Sequence, residues 1–463
     1  MKTRDYIYYD YTKSLCPECL MLCDAKIIFQ DAKVYMLKNC RTHGESKVMI
    51  ADDVEYYKQI RNYNKQSEMP LKFNTKVHYG CPYDCGLCTD HEQHSCLTVV
   101  EVTDRCNLSC PTCYAMSSPH YGRHRTLAEI DKMLDVVVAN EGEPDVVQLS
   151  GGEPTVHPDF FAILDLAKTK PIKHLMVNTN GIRLAKDIGF VEKLASYMPD
   201  FEIYLQFDSF SPEVLTQLRG EDLTEVRRKA IDHLNQFNVS TTLVVTLQKG
   251  LNDHEIGDIL AYALKQKCVR GVTFQPTQVA GRNDNYNDQA GRITLTEVRR
   301  KIYEQSIFTP QDLIPVPCNP DALCMAYALK IDDDVIPMTN LINPEDLLNN
   351  SKNTIVFEHD EKLKEHMINL FSTGVSVDCA EGTFGELMCC LPRVQADGLK
   401  YDNLFRIIIM NFMDPLDFDV RAVKKSCVHI VSDKYKMVPF ETMNIFYRDH
   451  KIDAIRQKLT PID

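Results

Sequence analysis

The sequence predicts an α/β protein built on a partial (β/α)6 barrel, with a metal-binding ribbon before the barrel and a cysteine-bearing region after it. Three observations carry this reading. Between residues 97 and 276, short β-branched runs alternate with longer amphipathic stretches, the rhythm of strands and helices around a parallel sheet. Neither flank shows that rhythm. Eleven of the 18 cysteines fall between Cys16 and Cys113 at short, motif-like spacings.

A chain of 463 residues with 44% hydrophobic content can bury more than one core. Its net charge of -13 argues against nucleic acid as a partner, because phosphate binding needs clustered Lys and Arg. The first residues are polar and tyrosine-rich and lack the apolar core of a secretory signal, so a cytoplasmic protein is expected. The longest mostly apolar run, residues 404–413, falls well short of the roughly 20 residues that cross a bilayer, so no transmembrane segment is expected. Abundant cysteine without a secretion signal points to metal ligation more than to disulfides.

Residues 1–75 read as the ribbon. Cys16-Pro17-Glu18-Cys19 and Cys40-Arg41-Thr42-His43 are C-x2-C and C-x2-H pairs across a β-like span, suited to tetrahedral zinc or a rubredoxin-like iron. Cys23 is an alternative to His43 as the fourth ligand.

Residues 76–280 hold a second cysteine set and then the barrel. Cys81, Cys85, Cys88 and Cys96, spaced C-x3-C-x2-C-x7-C, supply four ligands, enough for a saturated 4Fe-4S cluster. A zinc site using His91 or His94 is the competing reading. Strands are expected at 97–102, 146–149, 174–178, 202–207, 241–247 and 271–275. Helices are expected at 127–140, 160–169, 190–197, 224–235 and 253–266. As the first strand ends, Cys106, Cys110 and Cys113 form C-x3-C-x2-C, and three thiolates can clasp three irons of a cubane while a fourth iron stays open. Zinc, which prefers four ligands, suits them less well.

Residues 281–463 mix helices with cysteine-bearing loops. Cys318, Cys324 and Cys427 are candidates for a third cluster, with Cys379, Cys389 or Cys390 as fourth ligand; buried unligated thiols are the plainer alternative.

The loop EVTDRCNLSCPTCYA, the strand before it and the five after it resemble the radical S-adenosylmethionine (SAM) superfamily, which would make this a radical SAM barrel. The resemblance implies that the open iron binds the amino and carboxylate groups of SAM. It places Gly151, Gly152 and Glu153 at the GGE position, where glycines let backbone approach a ligand and Glu153 accepts from the methionyl ammonium. Asn178 and Asn180 would contact the cofactor, Gln206 and Asp208 the ribose hydroxyls, and Gln275 the adenine side. The residue before the third cysteine, often aromatic in the superfamily, is Thr112 here, with Tyr114 on the other side. The implied chemistry is reductive cleavage of SAM to a 5'-deoxyadenosyl radical that abstracts hydrogen from an unactivated carbon. It needs no general base, and none is nominated.

Together CPEC, CRTHG, CPYDCGLC and the cluster loop resemble a narrower group, which includes archaeal tetraether lipid synthases and hydroxymethylpterin dimethyltransferases. That likeness implies two 4Fe-4S clusters or three, a mononuclear Zn or Fe, and an electron donor such as ferredoxin or flavodoxin. It also implies an enzyme that forms carbon-carbon bonds or methylates a lipid or small molecule. A peptide- or pterin-modifying enzyme is the alternative, and a non-catalytic electron-transfer protein would have no use for the SAM residues. Glu441 is a departure, standing where cysteine is expected in archaeal members of the group.

Overall fold

In the computed structural model, the described residues are 4–63, 68–331, 334–340 and 403–462. Cys379, Cys389 and Cys390 lie outside them.

The ribbon is an antiparallel meander of β1 (Ile7–Leu15), β2 (Leu22–Gln30), β3 (Lys33–Cys40) and β4 (Gly44–Ala51). One face buries Ala25, Ile27, Val34 and Met36, in keeping with the period of two along a strand. Lys38 ties the ribbon to the C-terminal region: its buried ammonium donates to the Leu15 carbonyl at 2.9 Å and the Pro415 carbonyl at 2.7 Å.

The barrel begins with β5 (Leu97–Thr103) and the two-residue β6 (Thr112–Cys113). Then come β7 (Val146–Gly151), β8 (His174–Thr179), β9 (Phe201–Gln206), β10 (Thr241–Leu247) and β11 (Val269–Pro276). The six runs expected as barrel strands are thus β5 and β7 to β11, parallel and in sequence order. The intervening helices start and stop on local signals. Helix Leu127–Glu141 opens with a Thr126/Glu129 capping box and closes at Gly142, whose φ of 74° suits glycine.

Alternation along these strands builds the site. Val147 and Leu149, Leu175 and Val177, Ile203 and Leu205, and Leu243 and Val245 point outward into one apolar core under the helices. Their neighbours Gln148, Asn178, Tyr204, Gln206, Val244 and Thr246 therefore point inward and line a cavity.

The C-terminal region does not stand apart as the sequence suggests. After β12 (Arg282–Asn283), β13 (Ile314–Pro315), β14 (Leu323–Ile331) and β15 (Asp334–Pro337) come β16 (Leu404–Met410), β17 (Val428–Val431) and β18 (Met437–Pro439). β16 pairs parallel with β11, and β17 pairs parallel with β5, so both edges of the six-stranded core are extended. Among the described residues the result is a 12-stranded sheet. Gly271 is required at the β11/β16 seam, since a Cβ there would sit 2.5 Å from the Arg406 carbonyl oxygen.

Candidate active site and metal centres

The inward cavity opens at the carboxyl ends of the parallel strands, the end at which α/β sheets bind ligands. Cys106, Cys110 and Cys113 stand on one wall of it, in the loop leaving β5. That loop is pinned from the far side, where Arg282 donates to the Cys110 carbonyl at 2.5 Å and the Ser117 carbonyl at 2.8 Å, and β12 pairs with β6. Burial, with Glu153 nearby, pushes the Cys106 thiol up to about 12, a cost that binding to iron removes by fixing the thiolate.

Gly151, Gly152 and Glu153 line the same cavity, and the glycines also let the strand end approach the cysteine loop. A Cβ on Gly151 would lie 2.1 Å from the Thr103 carbonyl oxygen, and one on Gly152 would lie 2.0 Å from that of Arg105. Their absence lets the Gly152 and Glu153 amides bond to those carbonyls at 2.8 and 2.9 Å, docking the strand end onto the cysteine loop. Glu153 is buried, and burial raises its pKa. Its Oε1 accepts from Thr155 N, Thr155 Oγ1 and Thr179 Oγ1, while among the described residues Oε2 accepts from Asn180 N alone. A carboxylate has about four lone-pair sites, so Oε2 keeps capacity for one cationic donor such as an ammonium.

Asn178, Asn180, Gln206 and Gln275 also line the cavity. Asn180 donates to Asn107 Oδ1 at 2.6 Å within the cysteine loop, and Gln275 to the Tyr204 hydroxyl at 3.1 Å. Asp208 departs from the expectation of a ribose ligand. It is fully buried, and both its oxygens are held by Arg219, at 2.7 Å from Nε and 2.6 Å from Nη2. Arg219 takes the place by the cavity instead, reaching the Thr112 carbonyl at 3.4 Å and Thr246 Oγ1 at 2.7 Å. It stands at the end of the helix Pro212–Arg219, where no motif spacing marks it.

The cavity suits a polar cofactor. Asn178 Oδ1, Thr112 Oγ1, Thr277 Oγ1 and Gln278 Oε1 all belong to lining residues and are buried without a hydrogen-bond partner. Buried polar atoms are ordinarily paired, so four orphans around one cavity point to ligand atoms that complete them. Tyr114, Tyr204, Phe412 and Phe440 supply flat apolar wall.

Outside the cavity, the described residues hold two sets whose ligand atoms all lie within 4.8 Å of one another. Cys16, Cys19, Cys40 and His43 form the first, with Cys19 and Cys40 sulfurs 3.9 Å apart and His43 Nδ1 3.4 Å from Cys16 Sγ and 3.6 Å from Cys40 Sγ. Tetrahedral bonds of about 2.3 Å to sulfur and 2.0 Å to nitrogen require separations of about 3.5 to 3.8 Å, so one ion fits. The His43 and Thr42 amides pull the Cys40 thiol down to about 6. Cys23 packs beside this set without joining it.

The second set is Cys96, Cys318 and Cys427. This corrects two expectations. Cys96 does not complete the Cys81, Cys85, Cys88 set, because it immediately precedes β5 as Cys427 immediately precedes β17, and the register pairs Leu97 with Val428. The parallel pairing brings the two thiols to one level, and Cys318 Sγ lies 3.5 Å from Cys427 Sγ. Cys324 does not belong with them. It is on β14, where alternation turns it into the opposite core beside Tyr56, while Leu323 and Met325 share the face of Cys318. Burial opposes ionisation of Cys96, but hydrogen bonds from Cys318 and Cys427, with His94 beside it, hold it well below its usual range. Glu441 is buried behind this set, its Oε2 accepting from Ser426 at 2.9 Å, and burial raises it to about 7.

Cys81, Cys85 and Cys88 line a separate small pocket with His91. Among the described residues, neither they nor the barrel triad are among the sets gathered within 4.8 Å.

The model of the radical SAM superfamily matches residues 100–263, and that of the HMPTM N-terminal zinc ribbon domain matches residues 8–52. The chain is 31% identical to the 7,8-dihydro-6-hydroxymethylpterin dimethyltransferase of Methanocaldococcus jannaschii, over 94% of each protein. It is 27% identical to a GTP 3',8-cyclase of Haemophilus influenzae, over 41% of this chain and 56% of that one. Among solved structures, Streptococcus suis SuiB is similar with a TM-score of 0.38 at 15% identity, over 45% of each chain. The chain is therefore a radical SAM enzyme, and it belongs to the family of the Methanocaldococcus jannaschii 7,8-dihydro-6-hydroxymethylpterin dimethyltransferase.

Proposed function

We propose that this enzyme methylates carbon on a small nitrogen heterocycle of the pterin type. The observation that carries this is the character of the cavity wall. Beyond the SAM residues it offers the amide side chains of Gln148, Gln278 and Asn283 beside Tyr114, Tyr204 and Phe440. Amides and aromatic faces recognise a flat, hydrogen-bonding ring, whereas a lipid tail would leave the buried Gln278 Oε1 unpaired. The 31% identity to a pterin dimethyltransferase supports the same substrate class.

Cys106, Cys110 and Cys113 hold the 4Fe-4S cluster that binds SAM, and when bound this pair supplies the radical that takes hydrogen from carbon. The chain's own part is to bind and orient. Glu153 Oε2 receives the ammonium, while Gln206 and Gln275 flank the nucleoside. The Asp208–Arg219 pair fixes the floor under Thr112. Two further clusters sit at Cys81/Cys85/Cys88 and at Cys96/Cys318/Cys427, and the ribbon holds one zinc. Electrons arrive from a one-electron carrier of the ferredoxin or flavodoxin kind. None of the fifteen described cysteines is in a disulfide, which suits a reducing cytoplasm. No described helix is long and apolar enough to cross a membrane.

The test is anaerobic reconstitution followed by incubation with SAM, a reductant and either pterin or lipid candidates, with product masses read. A pterin gaining one or two methylene masses is expected. A lipid losing two hydrogens per new bond, with pterins unchanged, would replace this reading by coupling.

A further inference from the structure

With Cys96 beside Cys318 and Cys427, the Cys81, Cys85, Cys88 set has three thiols among the described residues. Its pocket offers three other side chains with ligating atoms: Asp84, Asp90 and His91. Asp84 is engaged, its Oδ2 accepting from the amides of His78, Tyr79 and Gly80. Asp90 is engaged by the Lys424 ammonium at 2.9 Å. His91 remains, and it is 3% exposed.

Its hydrogen bonds settle which ring nitrogen is available. His91 Nε2 lies 2.9 Å from the Ser426 carbonyl oxygen, which can only accept, so Nε2 carries the proton. The neighbouring ring agrees: His429 Nε2 lies 3.2 Å from His91 Nε2 and must accept, leaving His429 Nδ1 to donate to Ser95 Oγ at 3.1 Å. Ser95 Oγ in turn has the Leu97 carbonyl at 3.2 Å to donate to. The single His91 Nε2 proton is thus shared between the Ser426 carbonyl and His429 Nε2. A neutral His91 with its proton on Nε2 presents the Nδ1 lone pair, and among the described residues Nδ1 has no hydrogen-bond partner. A ligating histidine commonly donates its other N–H to a backbone carbonyl, which orients the ring, and Ser426 supplies that carbonyl.

We propose that His91, through Nδ1, is the fourth protein ligand of the iron-sulfur cluster held by Cys81, Cys85 and Cys88. This rests on the reading of those three cysteines as cluster ligands. Replacing a thiolate by a neutral imidazole removes negative charge from the cluster, so its potential lies above that of an all-cysteine counterpart. The Nε2 side of the same ring leads through Ser426 to Cys427, and so toward the neighbouring cysteine set.

The experiment uses full-length holoprotein labelled with 15N only in histidine, reduced without SAM, and examined by pulsed electron paramagnetic resonance. A 15N coupling of directly bonded strength is expected. It disappears in His91→Cys, which keeps its iron and shows a lowered potential for one cluster. Wild-type protein with full iron and no such coupling would overturn the proposal whether or not any variant folds. So would a coupling that survives His91→Cys and is lost in His94→Gln. The underlying reading is checked separately: replacing Cys81, Cys85 and Cys88 by Ala should remove about four irons. Unchanged iron would discard that reading and the proposal with it, while loss of iron without a 15N coupling discards the proposal alone.

Discussion

Asp208 is the buried carboxylate that compensates Arg219, in a bidentate pair, and Arg227, 3.7 Å away. Removing its charge leaves two buried guanidinium groups without their carboxylate partner. Asp208→Asn should therefore cost about 3 to 5 kcal/mol, measured by denaturant unfolding of the anaerobic protein. It should also weaken SAM binding by loosening Thr112. A stability within about 0.5 kcal/mol of wild type would show the pair to be dispensable. This residue also marks where sequence reading stops. A carboxylate at a strand end reads as a ligand contact, and nothing in the spacing announces that an arginine in the following helix will claim it. The cavity position of Glu153 was legible because it lies next to two glycines at a strand end, and the glycines also approach the Thr103–Arg105 backbone.

Strand ends and register decide which cysteines meet. Cys96→Ala, Cys318→Ala and Cys427→Ala should each lower reconstituted iron by one cluster, about four atoms, whereas Cys324→Ala should leave iron unchanged. Iron quantitation separates the sets directly, and iron lost with Cys324 but retained with Cys96 would reverse the assignment. Gly152→Ala should push the Arg105 carbonyl away and carry Cys106 with it, since backbone at 2.0 Å cannot yield as a flexible side chain would. The expected readout is loss of the SAM-cleaving cluster with the ribbon's zinc retained. The six barrel strands and their helices were legible because period-two and helical patterns are local. The union of Cys96 with Cys427 was not, because it depends on the parallel pairing of segments that are 331 positions apart (97 and 428). The ribbon was legible because its four ligands fall in two tight local pairs.

The two halves of the protein are joined at the amino ends of the strands as well as at the site. Buried Glu202 on β9 binds His174 on β8 at 3.0 Å, Thr242 on β10, and Arg406 on β16. Burial opposes its ionisation, but the Arg406 guanidinium and the His174 contact hold it well below the usual carboxylate range. A carboxyl whose folded pKa is depressed contributes stability that is present above the unfolded value of about 4.3 and is lost as pH falls below it. Unfolding free energy should thus decline through that window, and Glu202→Gln should flatten the decline while lowering stability at neutral pH. An unchanged acid limb in the variant would remove Glu202 from this role. The sequence presents residues 281–463 as a separate region because its strands lack the barrel's rhythm, yet β16 and β17 complete the barrel's edges and bring Phe412, Phe440 and Cys427 to its interior and base.

The most direct measurement is release of 5'-deoxyadenosine from reconstituted, reduced protein supplied with SAM. Wild-type protein should release it, and Cys106→Ala should release none while losing only about four irons. Iron-replete wild-type protein that binds SAM and releases no 5'-deoxyadenosine would contradict the assignment of Cys106, Cys110 and Cys113 as the radical-generating centre.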